Sequence, residues 1–249
     1  MGLKTAVISK IGHGHTSHFI LEELKSEKID TKLLVKSKEH TGYSVILDAD
    51  KTDRSIFAYK GGNRHFKFSE VNKSKLKQTK LIYLTSFKTA FKESEKVALF
   101  AKKNKIKLAF NPSCYLAEKG YKFLKKVLDC TNYLILNKEE ASLLVKGKTK
   151  EELARKLFEK GPEIVVITDG KHKVIAYDGK FHYVKPRKIK ILETTGAGDA
   201  FGSTFIGCIL KKIPIQKSLK LAQKNSESVI RYYGAKNKLL TWKELTKQW

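Results

Sequence analysis

Residues 191–203 read ILETTGAGDAFGS, a stretch in which a strand-like run turns through Gly-Ala-Gly into a helix-like one and places a single carboxylate, Asp199, at the helix mouth. Gly196 and Gly198 permit positive φ and a close approach of a ligand to the main chain. A helix starting near Ala197 to Asp199 leaves its first N–H groups without intrahelical partners and turns its positive dipole end outward, which makes a cradle for phosphate. Asp199 then has two readings. It is a first-turn acid that caps the helix, or it takes the proton of a hydroxyl while the amides of Gly196, Ala197 and Gly198 hold a transferring phosphoryl group.

Other phosphate-handling patterns fail on the letters. A Walker loop built on Gly147-Lys148-Thr149 needs glycine where Ser142 stands, and a GxGxxG dinucleotide turn starting at Gly196 meets Phe201 instead of its last glycine. The HRD and DFG signatures of protein kinases are absent. A second pair lies in LILNKEEASLL, where Asn137 ends a strand-like run and Glu140 follows one helical turn later. An amide and a carboxylate so placed can share the outer shell of an ion. They can equally form a helix-capping box.

The elements that must carry these residues follow from periodicity. KTAVISKI reads as a strand, and SHFILEELKSEK as a helix whose stripe is Phe19, Ile20, Leu21 and Leu24. KLLVK, GYSVILD and RSIFAYK are short strands broken by polar turns such as DADKTD, and they predict an antiparallel flap. From residue 80 the pattern alternates: strands KLIYL, IKLAF, NYLILN and EIVVITDG are separated by helical segments. Such alternation predicts βαβ units and a parallel sheet covered on both faces. KVIAYDG and KFHYVK form a hairpin through Asp178 and Gly179, and two helices separated near Pro214 follow the Gly-Ala-Gly turn.

A chain of 249 residues, 41% hydrophobic, supports one sizeable core. Its formal charge of +26 comes almost wholly from lysine, only five residues being arginine, and the lysines are spread along the chain. That distribution reads as a solvated surface rather than a nucleic-acid reading head, for which arginine and aromatic interleaving would be expected. Lysine and glutamate enrichment is also a weak sign of heat adaptation. Cys114, Cys130 and Cys208 are odd in number and far apart, which indicates neither a disulfide framework nor a metal site and predicts a reducing cytoplasm. The start MGLKTAVISK lacks a signal-peptide pattern, and FIGCIL is too short to span a bilayer, so no membrane association is expected. His13, His15 and His18 in GHGHTSH fit no standard zinc spacing.

ETTGAGDAFGSTFIG resembles the C-terminal signature of the ribokinase-like, or PfkB, carbohydrate kinases, D-T-x-G-A-G-D-x-F. LILNKEEASLL resembles that family's N-x-x-E motif, VVITDG its strand ending in T-x-G, and TGYSVILDADKTDRSIFAYKGGN its lid strands, with order and spacing agreeing along almost the whole chain. The resemblance implies a three-layer α/β/α sandwich with a mostly parallel central sheet and a small β lid at about residues 31–62, the chain 1–249 being a single kinase domain. It implies that Asp199 activates the acceptor hydroxyl, with Gly196, Ala197 and Gly198 as the anion hole. Asn137 and Glu140 would organise Mg²⁺ and its waters. Thr168, Gly170 and Thr195 would line ATP, and Asn225 would border its adenine. The implied reaction is transfer of the ATP γ-phosphate to a hydroxymethyl group of a sugar, sugar derivative or nucleoside, in a protein that can dimerise through its lid.

Two departures qualify this. The first acid of the signature is Glu193, whose extra methylene alters its reach toward metal or nucleotide, and Lys173 replaces a glycine common after T-x-G, either meeting the phosphates or pointing to solvent. The family also usually begins with a strand carrying a substrate-binding Asp and a Gly-Gly-x-x-x-Asn helix, about 30 residues on the size of a βαβ unit, and this sequence starts after them. A late start codon, a true short form, or a degenerate nucleotide-binding protein without kinase activity would each look like this.

Overall fold

The computed structural model describes residues 1–47, 55–85 and 90–247. Its elements in chain order are β1 (Lys10–His13), α1 (His15–Ser26), β2 (Val35–Leu47), β3 (Ser55–Gly61), α2 (Lys73–Leu76), β4 (Leu81–Leu84), α3 (Phe91–Lys103), β5 (Lys107–Phe110), α4 (Cys114–Ala117), α5 (Gly120–Leu128), β6 (Tyr133–Asn137), α6 (Lys138–Leu144), α7 (Lys150–Phe158), β7 (Ile164–Thr168), β8 (Val174–Tyr177), β9 (Phe181–Val184), α8 (Ala197–Leu210), α9 (Ile215–Val229) and α10 (Trp242–Thr246). Contacts divide the chain into two compact units: Met1–Leu3, Lys80–Ser86 and Ala98–Trp249 form one, Lys4–Thr79 and Phe87–Val97 the other.

In the first unit the apolar runs LIYL, KLAF, YLILN and IVVIT become β4 to β7, all parallel, and the β8–β9 hairpin continues the sheet antiparallel in the order β4-β5-β6-β7-β8-β9. Both faces must be buried for such runs to be stable, and they are. Ala109, Ile135, Val166, Val174 and Ala176 face Phe201, Phe205 and Ile206 of α8 and Leu219 and Ala222 of α9. Their alternates, Leu134, Leu136, Val165 and Ile167, point the other way and are fully buried on the side where α6 and α7 pack. The result is the expected α/β/α sandwich with a mostly parallel sheet. Helix α8 is buried on most of its circumference because two glycines admit close neighbours: a Cβ on Gly202 would lie 2.3 Å from Tyr83 Oη, and one on Gly207 would lie 2.6 Å from Met1 Cε. The hairpin turn falls where predicted, with Gly179 at φ 102°.

The second unit departs from the sequence reading in three places. KTAVISKI is a ladder strand only from Lys10. Upstream, Ala6 forms a single parallel bridge with Asp30, Val7 donates its N–H to Asp30 O, and Asp30 donates to Thr5 O. Apart from this bridge and the Val35 N–H donated to Ser9 O, no main-chain pairing reaches the segment among the described residues, so it stays extended without becoming a ladder strand. KLLVK and GYSVILD are one strand, β2, because its first half pairs parallel with β1 and its second half antiparallel with β3, and the handover falls on the polar His40-Thr41 step. The DADKTD turn lies outside the described residues. Helix α1 forms as predicted, but its stripe is not a buried face: Phe19 is 67% exposed, and only Ser17 is buried, sharing a hydroxyl hydrogen bond of 2.7 Å with Thr41. Among the described residues no helix is long and apolar enough to cross a membrane.

Candidate active site

The turn before α8 is shaped by packing as well as by conformation. Gly196 caps the helix with φ 83° and ψ −8°, a left-handed conformation that favours glycine, and a Cβ there would lie 2.0 Å from Ala235 O. Gly196 O accepts the Ala200 N–H at 2.9 Å, and Ala197 N–H is spent on Thr194 O at 3.2 Å. Of the three amides expected to face a phosphate, Ala197's therefore has a partner already. Among the described residues, Gly196 and Gly198 N–H have no main-chain partner. Asp199 occupies the first turn, exposed, and no side chain caps the helix. Among the described residues no hydrogen bond or ion pair engages its carboxylate, so it is a first-turn acid that makes no capping bond.

The strands β5, β6 and β7 end together opposite this turn. A pocket of about 110 Å³ opens there, lined by Asn111, Ile135, Leu136, Asn137, Glu140, Thr168 and Gly198. A second, of about 220 Å³, continues it along Asn137, Lys138, Glu139, Asp169 and Gly170. The carboxyl ends of parallel strands are where open α/β sheets bind ligands, since loops and helix N-termini converge there. Asn137, Glu140, Thr168 and Gly198, read independently from three motifs, thus share one cavity, and Gly170 lies in its continuation. Gly170 has φ 50°, which suits glycine.

Asn137 and Glu140 form the capping box: Asn137 Oδ1 accepts Glu140 N–H at 2.8 Å, and Glu140 Oε2 accepts Asn137 N–H at 2.9 Å. The box does not exhaust them, because both also line the pocket. Glu140 is 8% exposed, and burial pushes its carboxyl up to about 7, with the charge of Glu139 adding and the Asn137 N–H opposing. A buried carboxylate raised in this way is one that lacks a nearby positive charge. The residues therefore fit a Mg²⁺ ion held through water, with the Asn137 amide and the Glu140 carboxylate as outer-shell partners.

Other expected residues lie elsewhere. Glu193 Oε2 accepts Gly234 N–H at 2.8 Å, which ties the signature's first acid to the loop after α9, and Glu193 lines neither pocket. Thr195 is half-buried in the turn itself. Asn225 is 4% exposed, donates to Thr204 Oγ1 at 2.7 Å and accepts Leu240 N–H at 2.8 Å. It joins α9 to α8 and to the C-terminal segment, and it is not among the pocket residues. Lys173 is exposed, as the solvent-facing alternative expects, with its Nζ 4.0 Å from the Tyr183 ring centroid and 3.6 Å from Glu151. Among the described residues no cluster of three or more His, Cys, Asp or Glu forms a metal site, and this includes the His13, His15 and His18 segment. Sequence reasoning missed Asn111, though AFNPS, a strand end with a polar residue before proline, is the same kind of signal as LILN. It also missed Lys150, whose Nζ lies 2.9 Å from Asp169.

Comparisons with known proteins bear on the fold and the family. An uncharacterized sugar kinase of Archaeoglobus fulgidus is 27% identical over 244 residues, 96% of either chain. The structure of Arabidopsis thaliana ribokinase complexed with ribose and ATP superposes with a TM-score of 0.84 at 18% identity, covering 97% of this chain and 80% of that one. The Methanocaldococcus jannaschii nucleoside kinase, an archaeal member of the ribokinase family, gives 0.82 at 20% identity, covering 98% and 80%. Those two likenesses establish the fold. The profile of the pfkB family carbohydrate kinases matches residues 1–242, nearly the full sequence, and the chain belongs to that family.

Proposed function

We propose that this pfkB-family kinase uses ATP and Mg²⁺ to phosphorylate a hydroxymethyl group of a sugar, sugar derivative or nucleoside. The observation that carries the reading is the meeting of Gly198, at the N-terminus of α8, with Asn137, Glu140 and Thr168 around one pocket, beside an Asp199 carboxylate that has no partner among the described residues. The acceptor oxygen would attack the γ-phosphorus, the bond to the β–γ bridging oxygen would break to release ADP, and Asp199 would take the hydroxyl proton. The Gly196 and Gly198 amides would face the phosphoryl oxygens, with the α8 dipole behind them. Mg²⁺, when bound, would neutralise phosphate charge, and Asn137 and Glu140 would orient its waters. Thr168 and Gly170, which line the two adjoining pockets, would line the nucleotide. The ribose, ATP and nucleoside named for the structural relatives support these substrate classes.

Replacing Asp199 by Asn should leave ATP affinity in calorimetry within about twofold and lower kcat by roughly 10³-fold or more against a panel of sugars and nucleosides. A variant that turns over at the wild-type rate would defeat the assignment. Wild-type protein that binds ATP and phosphorylates nothing in the panel would support the nucleotide-binding alternative instead.

We read residues 31–62 as the lid of a single kinase domain, and infer that it self-associates. On β2 and β3 the exposed Tyr43, Val45 and Leu47 share one face with Phe57 and Tyr59, as the register pairs Tyr43 with Tyr59 and Val45 with Phe57. An apolar face of that kind marks an interaction surface. The lysine-biased charge remains a solvated surface in this reading, with no nucleic-acid role, and the three free cysteines suit a reducing cytoplasm.

A further inference from the structure

Tyr83 sits near the end of β4, on the sheet face that α8 covers, and its ring packs against the cluster of Ala109, Ile135, Phe201 and Phe205. Its hydroxyl is fully enclosed and has no hydrogen-bond partner among the described residues. The position of that oxygen is fixed by α8: it occupies the space that a Cβ on Gly202 would need. Asp199 is three residues before Gly202 on the same helix, and residues at that spacing lie on one face, so the phenol oxygen lies beneath the first turn of α8. Burial holds the phenol well above its usual range, and the negative charge of Asp199 raises it further, so Tyr83 remains a protonated donor at any physiological pH.

A buried hydroxyl without an acceptor is rare in folded proteins and calls for a partner. The Asp199 carboxylate on the adjoining turn can only accept hydrogen bonds when ionised, and it too has no partner among the described residues. The geometry points to Tyr83 as the positioning residue of the phosphoryl-transfer site: in the substrate-loaded state its hydroxyl donates to one Asp199 oxygen and aims the other at the acceptor hydroxyl. This rests on the reading of Asp199 as the base. A phenol–carboxylate hydrogen bond is charge-assisted and short, so it would limit rotation of the side chain. Tyr83 touches no reacting atom and acts through Asp199.

The test is Tyr83→Phe in the full chain, which removes one oxygen and keeps the ring. The expected result is a kcat lowered roughly tenfold with the KM for ATP unchanged. The Asp199 carboxyl carbon, observed by ¹³C NMR in the nucleotide complex, should change its chemical shift relative to wild type as the hydrogen bond is lost. In an Asp199→Asn background the same substitution should have no further effect on kcat. The thermal midpoint should hold or rise, since the removed oxygen has no partner among the described residues. An unmoved Asp199 carboxyl resonance would overturn the proposal, whether kcat fell or not. If wild-type protein phosphorylates nothing, the proposed activity fails by itself, and the carboxyl resonance alone decides whether Tyr83 holds Asp199.

Discussion

Glu140 combines two demands that one carboxylate seldom meets together. It closes a capping box, which asks for an acceptor, and it is buried beside the pocket, which disfavours charge. The consequence is a carboxyl raised from 4.5 to about 7 by burial. Its folded form therefore holds a proton through a window in which the unfolded form has lost it. Native protein binds more protons between roughly pH 4.5 and 7, so stability falls as pH rises through that window. Urea unfolding at pH 5 and pH 8 should show this loss, at most on the order of 3 kcal/mol. Glu140→Gln keeps the acceptor for Asn137 N–H and should abolish it. A Gln variant with the same pH dependence as wild type would locate the cause elsewhere.

Helix α8 shows how far the letters of a segment foretell its structure. GAGD announced a turn, a helix start and an exposed acid, all of which are found, because glycine at positive φ and an unsatisfied helix end are local properties. The strands of the main sheet were equally legible, each being an apolar run bounded by polar residues. Partners distant in sequence were not. That Asn225 would be consumed by Thr204 and Leu240, or Glu193 by Gly234, depends on contacts 15 to 41 residues apart, which no local pattern encodes. β2 was misread for the same reason: SKEH looks like a break until β1 and β3 are placed on either side of it. Gly202 belongs to this group, since only the fold shows that it makes room for Tyr83. Gly202→Ala should therefore destabilise by about 1–3 kcal/mol through the clash with Tyr83 Oη. In a Tyr83→Phe background the nearest ring atom is 3.4 Å from the new Cβ, and the substitution should become neutral or stabilising, given alanine's higher helix propensity. Chemical denaturation of the four proteins of this cycle checks it, and equal penalties in both backgrounds would show that the clash is not what glycine avoids.

Across the protein, charge and apolar surface are distributed unevenly. A formal charge of +26 opposes self-association through repulsion. The β2–β3 face bears Tyr43, Val45, Leu47, Phe57 and Tyr59, all exposed, and hydrophobic burial between two copies would oppose that repulsion. Dimerisation through this face should therefore tighten with added salt, which screens the charge and leaves burial intact. Analytical ultracentrifugation from 50 to 500 mM NaCl would show the dimer fraction rise, and Phe57→Glu would hold the protein monomeric. A monomer at every salt concentration would remove the lid from consideration as an interface.

The contact between Gly196 and Ala235 also has a consequence in time. The backbone that shapes the phosphate-facing end of α8 comes from residues synthesised well after that helix: Gly234 donates to Glu193, Ala235 bounds Gly196, and Leu240 donates to Asn225. A nascent chain can pair β4 to β7 and bury α8 while these residues are still in the exit tunnel, yet the wall behind Gly196 does not exist. Nucleotide captured during synthesis would meet an unfinished cradle, so a chain that stops before Ala235 keeps its sheet and lacks a formed site.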